Sequence, residues 1–163
     1  MGDDGEPITS SESHPGLLAS RGAMNMTGYW KDPAETEKAL RDGAVYSSDI
    51  AYYDEDGDII LLGRVGDVIN VGGNKVSPEE IEDAARKLDG VVDCGVAPID
   101  DPYKGSVPGL FVQMKPGCAF DPAAIRDFLA ARLEPYKLPA IIEQIDRIPR
   151  SFNGKLLRRE LRR

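Results

Sequence analysis

The sequence predicts an α+β domain over residues 68–163, in which a β-hairpin and a three-stranded sheet are covered by helices. After a hairpin pattern, apolar runs of strand length alternate with segments of helical pattern. Two of those segments open with helix-start signals, at Ser77 and at Asp121. Hydrophobic residues make up 41% of the 163-residue chain, which is enough to fill a modest core.

The segment before this domain carries a separate hairpin pattern. Residues 1–16 are acidic and rich in Ser, Gly and Pro, which predicts a flexible lead-in or a segment parted from its packing partner. From 44 to 62, AVYSSDIAYY and IILLG read as strands joined by DEDGD, with Asp56-Gly57 as the turn. A calcium loop is excluded, because its sixth position needs glycine and its twelfth glutamate, where this loop has Gly57 fourth and Val65 twelfth.

The elements of the main domain follow in order. VINV, GG and NKV predict a second hairpin, and SPEEIEDAARKLDG predicts a helix with Ser77 as N-cap, Glu80 as its capping-box partner and Gly90 at its end. VVDCGVAPI and GLFVQMKP read as strands, a helix begins behind Asp121, and AIIEQID reads as the third strand. A last helix is expected to begin near Lys155.

Composition excludes several function classes. A net charge of −8 and a pI near 4.7 argue against general binding of nucleic acid or anionic membranes. The longest aliphatic run, IILL, is too short for a membrane span, and the acidic start lacks signal-peptide features, so we expect a cytoplasmic protein. Cys94 and Cys118 are far apart in the sequence and form no C-x-x-C pair, so we expect no metal site and no disulfide.

One lysine stands directly behind an Asn-Gly turn in RIPRSFNGKLLRREL, residues 147–161. A phosphate-binding loop is the first candidate for a Gly-Lys pair. That loop requires an earlier glycine and a Ser or Thr after the lysine, whereas this chain has Pro149 and Leu156 at those positions. Taken alone, Lys155 would be predicted to be a solvated lysine at the start of a surface helix.

Four motifs in a fixed order carry a family resemblance. The long stretch from RGAMNMTGYW through GRVGDVINVGGNKVSPEEIE, followed by YKLP and IPRSFNGK, resembles the C-terminal third of the AMP-forming, acyl-activating synthetases. These include acyl-CoA synthetases, firefly luciferase and the adenylation domains of peptide synthetases. The resemblance implies a small lid domain that swings across a large core holding ATP and a carboxylic acid. One pose makes the acyl-adenylate, and the other lets a thiol displace AMP.

The resemblance implies roles for four polar residues. Lys155 matches the lid lysine that contacts the acid carboxylate and nucleotide oxygens, and Asp49 matches the aspartate that holds the ribose hydroxyls. Arg64 matches the arginine that contacts the nucleotide, and Asp67 matches the hinge residue. The chain has Ser-Ser-Asp where the family usually has Thr-Gly-Asp. Without this context, Asp49 would read as a solvated strand-end acid and Arg64 as a surface ion-pair partner.

Gly72 and Gly73 match the turn that lines the thiol tunnel of the family. Glycine suits such a turn because a pantetheine arm must pass close to the backbone, although Gly-Gly also suits a plain hairpin. The continuation NKVSPEEIE is more similar to CoA ligases than to peptide-synthetase domains, so CoA is the expected thiol acceptor.

The resemblance implies the C-terminal part of an ATP-dependent, AMP-forming carboxylic acid–CoA ligase. Residues 1–62 would be a lead-in and the β-rich end of the N-terminal adenylation core, 63–67 the hinge, and 68–163 the lid. ATP with Mg²⁺, AMP, CoA and a carboxylic acid are the expected ligands, and the chain alone is expected to be inactive without the core. The alternative is a non-catalytic lid that docks on a separate synthetase core or an acyl-carrier partner.

An association between chains is also expected. The apolar residues of 1–40 lack an evident core of their own, and exposed apolar patches favour association. The segment could therefore form a homo-oligomer contact through Met24, Met26, Tyr29 and Trp30.

Overall fold

The fold is described for residues 9–161 of a computed structural model of the chain. The chain forms two compact units, one reaching to Val65 and the other starting at Gly66. This division falls inside the segment 63–67 for which a hinge is expected. Residues 1–8 of the expected lead-in lie outside the described residues, and the turn that follows pairs Ser11 with His14.

The first unit is a four-stranded antiparallel sheet with one helix. Its third strand pairs with each of the other three. The predicted hairpin of residues 44–62 is confirmed, whereas the first two strands and the helix of this unit were not predicted. The turn forms because the Asp54 carboxylate accepts the N–H groups of Asp56 and Asp58 and Gly57 takes a φ of 86°. The elements are β1 (Gly16–Ser20), α1 (Pro33–Ala39), β2 (Leu40–Arg41), β3 (Ala44–Tyr53) and β4 (Ile59–Arg64).

The second unit contains a five-stranded sheet. The three strands predicted for this domain, VVDCGVAPI, GLFVQMKP and AIIEQID, are confirmed and lie side by side. The second of them pairs antiparallel with the first and parallel with the third. The predicted hairpin is also present, and it joins these three strands in one sheet. Val71 of the hairpin pairs with Gly105, so the hairpin extends the same sheet. The strands are β5 (Ile69–Val71), β6 (Asn74–Val76), β7 (Val91–Asp101), β8 (Gly105–Met114) and β9 (Ile141–Gln144).

Two helices, α2 (Pro78–Ala85) and α3 (Pro122–Ala130), begin where the sequence predicted. Asp121 caps α3, because its carboxylate accepts the N–H groups of two residues in the first turn. Ser77 stands at the N-cap of α2 but forms no capping bond, and its hydroxyl instead contacts the Glu79 carboxylate at 3.1 Å. Glu80 likewise does not complete a capping box, because it binds Lys137 at 2.8 Å.

The helix expected near Lys155 is absent from the described residues. An antiparallel bridge between Arg150 and Leu156 closes a turn, and only a short 3-10 helix follows at Arg158–Leu161. Gly154 adopts a φ of 81°, which is outside the helical region. The segment therefore presents its lysine from a turn rather than from a helix.

Both faces of the second sheet are covered. The larger cluster includes Ile81, Leu110 and Leu129, which bring α2, α3 and the sheet together. Neighbouring strand residues point to the opposite face, where Phe111 and Leu161 belong to a smaller cluster. This smaller cluster ties the C-terminal segment to the sheet.

Two further expectations concern the whole chain. Over residues 9–161, no helix has the length and apolar character needed to cross a membrane. Both cysteines are free, with Cys94 buried in β7 and Cys118 exposed. Cys118 lies in the turn after β8.

Candidate functional site

Asp49 and Arg64 form a cross-strand pair in the first unit. They lie directly opposite each other on β3 and β4, with Arg64 Nε 3.4 Å from Asp49 Oδ1. The arginine side chain is 58% exposed and the aspartate 32% exposed. An ion pair this open contributes little stability, so both groups keep donors and acceptors free for a ligand. Asp49 and Arg64, which match nucleotide-contacting residues of the family, are therefore neighbours. A surface ion pair without a ligand would have the same arrangement.

Ser47 supports the backbone at Asp49. Its hydroxyl donates to the Leu18 carbonyl at 3.0 Å and accepts the Asp49 N–H at 3.2 Å. Ser47, which stands where the family usually has threonine, thus links β3 to β1 beside the aspartate. A serine hydroxyl can serve both bonds because it is a donor and an acceptor.

The remaining candidate residues belong to the second unit. Asp67 is half-buried in the turn that opens this unit, next to Gly66 with a φ of 90°. Gly72 and Gly73 form the two-residue turn between β5 and β6, with φ values of 57° and 98°. Both values lie in the left-handed region that glycine adopts without steric cost.

Open space lies above the Gly72–Gly73 turn. A Cβ atom built on either glycine would meet nothing within 4 Å. The turn is held from its other side, because Gly72 donates to the Lys104 carbonyl at 3.0 Å and Gly73 donates to the Asn70 side chain at 3.1 Å. The turn thus offers a fixed and uncovered backbone surface, while serving as the hairpin turn of β5 and β6.

Lys155 ends a tight turn that begins at Ser151. The Gly154 N–H donates to the Ser151 carbonyl at 2.8 Å, and the Ser151 N–H donates to the Lys155 carbonyl at 2.8 Å. The Ser151 hydroxyl also accepts the Lys155 N–H at 3.1 Å. Lys155 is exposed, and among residues 9–161 its ammonium group has no carboxylate partner. The turn therefore presents an available positive charge.

The basic C-terminal end is not a uniformly solvated surface. Arg158 is 11% exposed and pairs with Glu82, which is 3% exposed. Its guanidinium also donates to the Val96 carbonyl at 2.8 Å and to Glu79 at 2.7 Å. Sequence reading missed this cluster because its members are up to 79 residues apart.

Two other titratable groups are structural. Burial opposes the charge of Lys137, but pairing with Glu134 and Glu80 outweighs it and raises the lysine pKa above its ordinary value. Both carboxylates lie 2.8 Å from the Lys137 ammonium. Burial raises the pKa of Cys94 to about 12, so its thiol stays protonated at neutral pH.

Comparison with known proteins agrees with the fold. Residues 80–155 match the family model of the AMP-binding enzyme C-terminal domain. The 2-succinylbenzoate–CoA ligase of Geobacillus kaustophilus is 40% identical over 98% of this chain, and a long-chain-fatty-acid–CoA ligase of Bacillus subtilis is 36% identical over 90%. The chain spans 32% and 26% of these relatives' lengths.

A solved structure extends the similarity to three dimensions. The o-succinylbenzoate CoA synthetase of Bacillus subtilis, determined with its acyl-adenylate intermediate, superposes with a TM-score of 0.83 at 28% identity. The match covers 91% of this chain and 30% of that protein. The chain therefore belongs to the AMP-forming acyl-activating synthetases and corresponds to the C-terminal portion of such an enzyme.

Proposed function

We propose that the chain acts as the C-terminal part of an ATP-dependent, AMP-forming carboxylic acid–CoA ligase. The observation that carries the proposal is the ammonium of Lys155, which has no carboxylate partner within residues 9–161. A hydrogen-bonded turn presents it, in a chain that matches a CoA ligase over 98% of its length. The matched region includes the strands of residues 16–62. A non-catalytic lid module would have little use for those strands, so the match favours the enzyme over the module.

In the adenylation step, the carboxylate of the acid bonds to the α-phosphorus of ATP and pyrophosphate leaves. Negative charge shifts among crowded oxygens in that transition state, and a fixed positive group lowers its energy. Lys155 suits this task, because an ammonium is a compact point charge with three donors. We assign it that role.

Asp49 and Arg64 would bind the rest of the nucleotide. A carboxylate accepts two hydrogen bonds, which matches the two hydroxyl groups of a ribose. The guanidinium beside it has five donors for nucleotide oxygens. In this assignment, ligand oxygens compete with the 3.4 Å contact between the two side chains, which is weak enough to be replaced.

The thioester step would use the open turn at Gly72 and Gly73. The thiol of CoA attacks the acyl carbon and AMP leaves, so the pantetheine arm must reach the acyl-adenylate past this backbone. The absence of β-carbons keeps that path wide. Asp67 would absorb the change in backbone dihedrals between the two steps, with 63–67 as the hinge and 68–163 as the lid.

The partners follow from the same proposal. An N-terminal adenylation core would supply the phosphate loop and the acid pocket, and it would cover exposed apolar residues of the first unit such as Trp30. A second copy of the chain is another candidate for that surface. The relatives are named for succinylbenzoate and long-chain fatty acids. We therefore propose only the carboxylic acid class.

Mg²⁺ is expected to accompany ATP. Among residues 9–161, no group of three or more His, Cys, Asp or Glu side chains is placed to hold a metal ion. We therefore assign no residue of the described chain to it, and the proposed steps do not depend on such a site.

Complementation tests the proposal. The chain would replace the corresponding portion of the Geobacillus 2-succinylbenzoate–CoA ligase, and ATP-dependent pyrophosphate release would be measured with the relative's acid. We expect release from the joined protein and none from either part alone. A well-folded chimera that binds ATP and acid but releases no pyrophosphate would contradict the proposal.

A further inference from the structure

Arg150 binds the turn that carries Lys155. Its Nη1 donates to the Gly154 carbonyl at 2.9 Å, one residue before the lysine. Its other two nitrogens reach Asp93, with Nε at 2.8 Å from Oδ2 and Nη2 at 2.7 Å from Oδ1. One guanidinium therefore joins the turn to a strand that is 57 residues away in the chain.

The sheet holds Asp93, the partner of Arg150, in a fixed position. It lies in β7, where it pairs with Gln113 of β8 in the longest ladder of the sheet. Its Oδ1 also accepts the N–H of Cys94 at 2.9 Å. Hydrogen bonds from Arg150 lower the pKa of Asp93 below its ordinary value, so the carboxylate is ionised at neutral pH.

The geometry differs from that of an ordinary surface ion pair. Bidentate pairing of a guanidinium with a carboxylate fixes orientation as well as distance, and the third donor is then directed at the turn. A lysine could offer a charge but not this planar fork. Arg126 of the second unit makes a comparable contact elsewhere. Its guanidinium donates to the carbonyls of Pro139 and Ala140, which do not belong to the turn that carries Lys155.

The far end of the segment is anchored independently. Leu161 packs against Gly95 of β7 so closely that an added Cβ would lie 2.7 Å from its methyl group. Arg158 is held by Glu82 and Glu79. Arg150 therefore controls only the near side of the turn, which makes its loss a local change.

We propose that Arg150 and Asp93 are positioning residues that orient Lys155 for adenylation. This inference rests on the proposed function of Lys155. Without the contacts of Arg150 with Asp93 and Gly154, the Gly154 carbonyl loses its side-chain donor. The turn then samples directions in which the Lys155 ammonium misses the reacting oxygens. The thioester step, which does not use the lysine in this scheme, should be spared.

The test uses the chain joined to the adenylation core and measures the two half-reactions separately. Arg150→Lys and the nearly isosteric Asp93→Asn should each lower pyrophosphate release by on the order of tenfold to a hundredfold, the effect of a misplacement near 1 Å. Thioester formation from preformed acyl-adenylate should change less than about twofold. Arg126→Lys is the matched control, and it should leave the ratio of the two rates unchanged.

A second readout does not depend on activity. In the free chain, hydrogen exchange of the Lys155 amide should become faster in Arg150→Lys and Asp93→Asn, while exchange in β7 and β8 stays slow. Unchanged exchange at Lys155 would overturn the inference.

The outcomes separate the two proposals. Loss of pyrophosphate release in Lys155→Ala, but not in Arg150→Lys or Asp93→Asn, would overturn the positioning role and leave the function standing. No loss in Lys155→Ala would overturn the proposed function, and the positioning role with it. Equal losses in both half-reactions for the Arg150 and Asp93 variants would show that the pair only maintains the fold, which also overturns the inference.

Discussion

Removing the negative charge of Glu82 should destabilise the second unit strongly. The Glu82 side chain is 3% exposed, and it accepts the Val96 N–H at 2.8 Å and a bond from Arg158. In Glu82→Gln, the amide oxygen can still accept the Val96 N–H. The guanidinium of Arg158, however, loses its buried counter-ion and keeps only the half-exposed Glu79.

The magnitude follows from these contacts. Removing one partner of a buried ion pair costs about 3–5 kcal/mol, because it leaves an uncompensated charge. Arg158 is 11% exposed and retains Glu79, so we expect about 2–3 kcal/mol for Glu82→Gln. Glu82→Leu also leaves the Val96 N–H without an acceptor, which adds about 1–3 kcal/mol. Glu79→Gln removes only the exposed partner and should cost less than about 1 kcal/mol.

The assay is urea unfolding followed by circular dichroism, with hydrogen exchange of the Val96 amide reporting on the second unit alone. Two compact units need not unfold together, so the amide readout isolates the relevant transition. The double variant Glu82→Leu, Arg158→Met should be less destabilised than Glu82→Leu alone, because no buried charge remains. A Glu82→Gln cost within about 0.5 kcal/mol of zero, the range of ordinary surface substitutions, would refute the reasoning.

Two further predictions concern Gly73 and the pairing of Asp93 with Arg150. Gly73→Val in the joined protein should slow thioester formation and spare pyrophosphate release. Gly117 is an equally open glycine with a left-handed backbone, so Gly117→Val is the control for backbone strain. Equal effects of the two substitutions on thioester formation would contradict the tunnel role of Gly73. Asp93 has a folded-state pKa below its ordinary 3.8, so the stability it contributes is complete above pH 4 or so and is lost as pH falls through the folded pKa. The difference in unfolding free energy between the wild type and Asp93→Asn should shrink on acidification below pH 4 or so; a difference that grows there would contradict the pairing.

Local signals in the sequence predicted much of the fold. The Asp56-Gly57 turn, the Asp121 cap and the strands β7, β8 and β9 were all predicted from patterns of neighbouring residues. The capping box at Ser77 does not form, because the Ser77 hydroxyl bonds to Glu79 and the carboxylate of Glu80 binds Lys137. The predicted last helix does not form, because Gly154 adopts a φ outside the helical region and the Arg150–Leu156 bridge closes a turn at this place.

The candidate site was only partly predictable. The adjacency of Asp49 and Arg64 follows from the register of a hairpin whose turn was predicted. The contacts of Arg150 with Asp93 and of Arg158 with Glu82 join segments 57 and 76 residues apart. No local pattern encodes such pairs, so the sequence predicted a candidate lysine but not the contacts that hold its turn in place.

Separate measurement of the two half-reactions in Lys155→Ala tests the central claim most directly. In the chain joined to its core, pyrophosphate release should fall by about 10²–10³, the typical loss on removing one preorganised charge-stabilising donor. Thioester formation from preformed acyl-adenylate should stay close to wild type, as should both steps in the exposed control Lys87→Ala. Equal losses in the two half-reactions of Lys155→Ala would contradict the account, because the lysine would then serve the fold and not the adenylation chemistry.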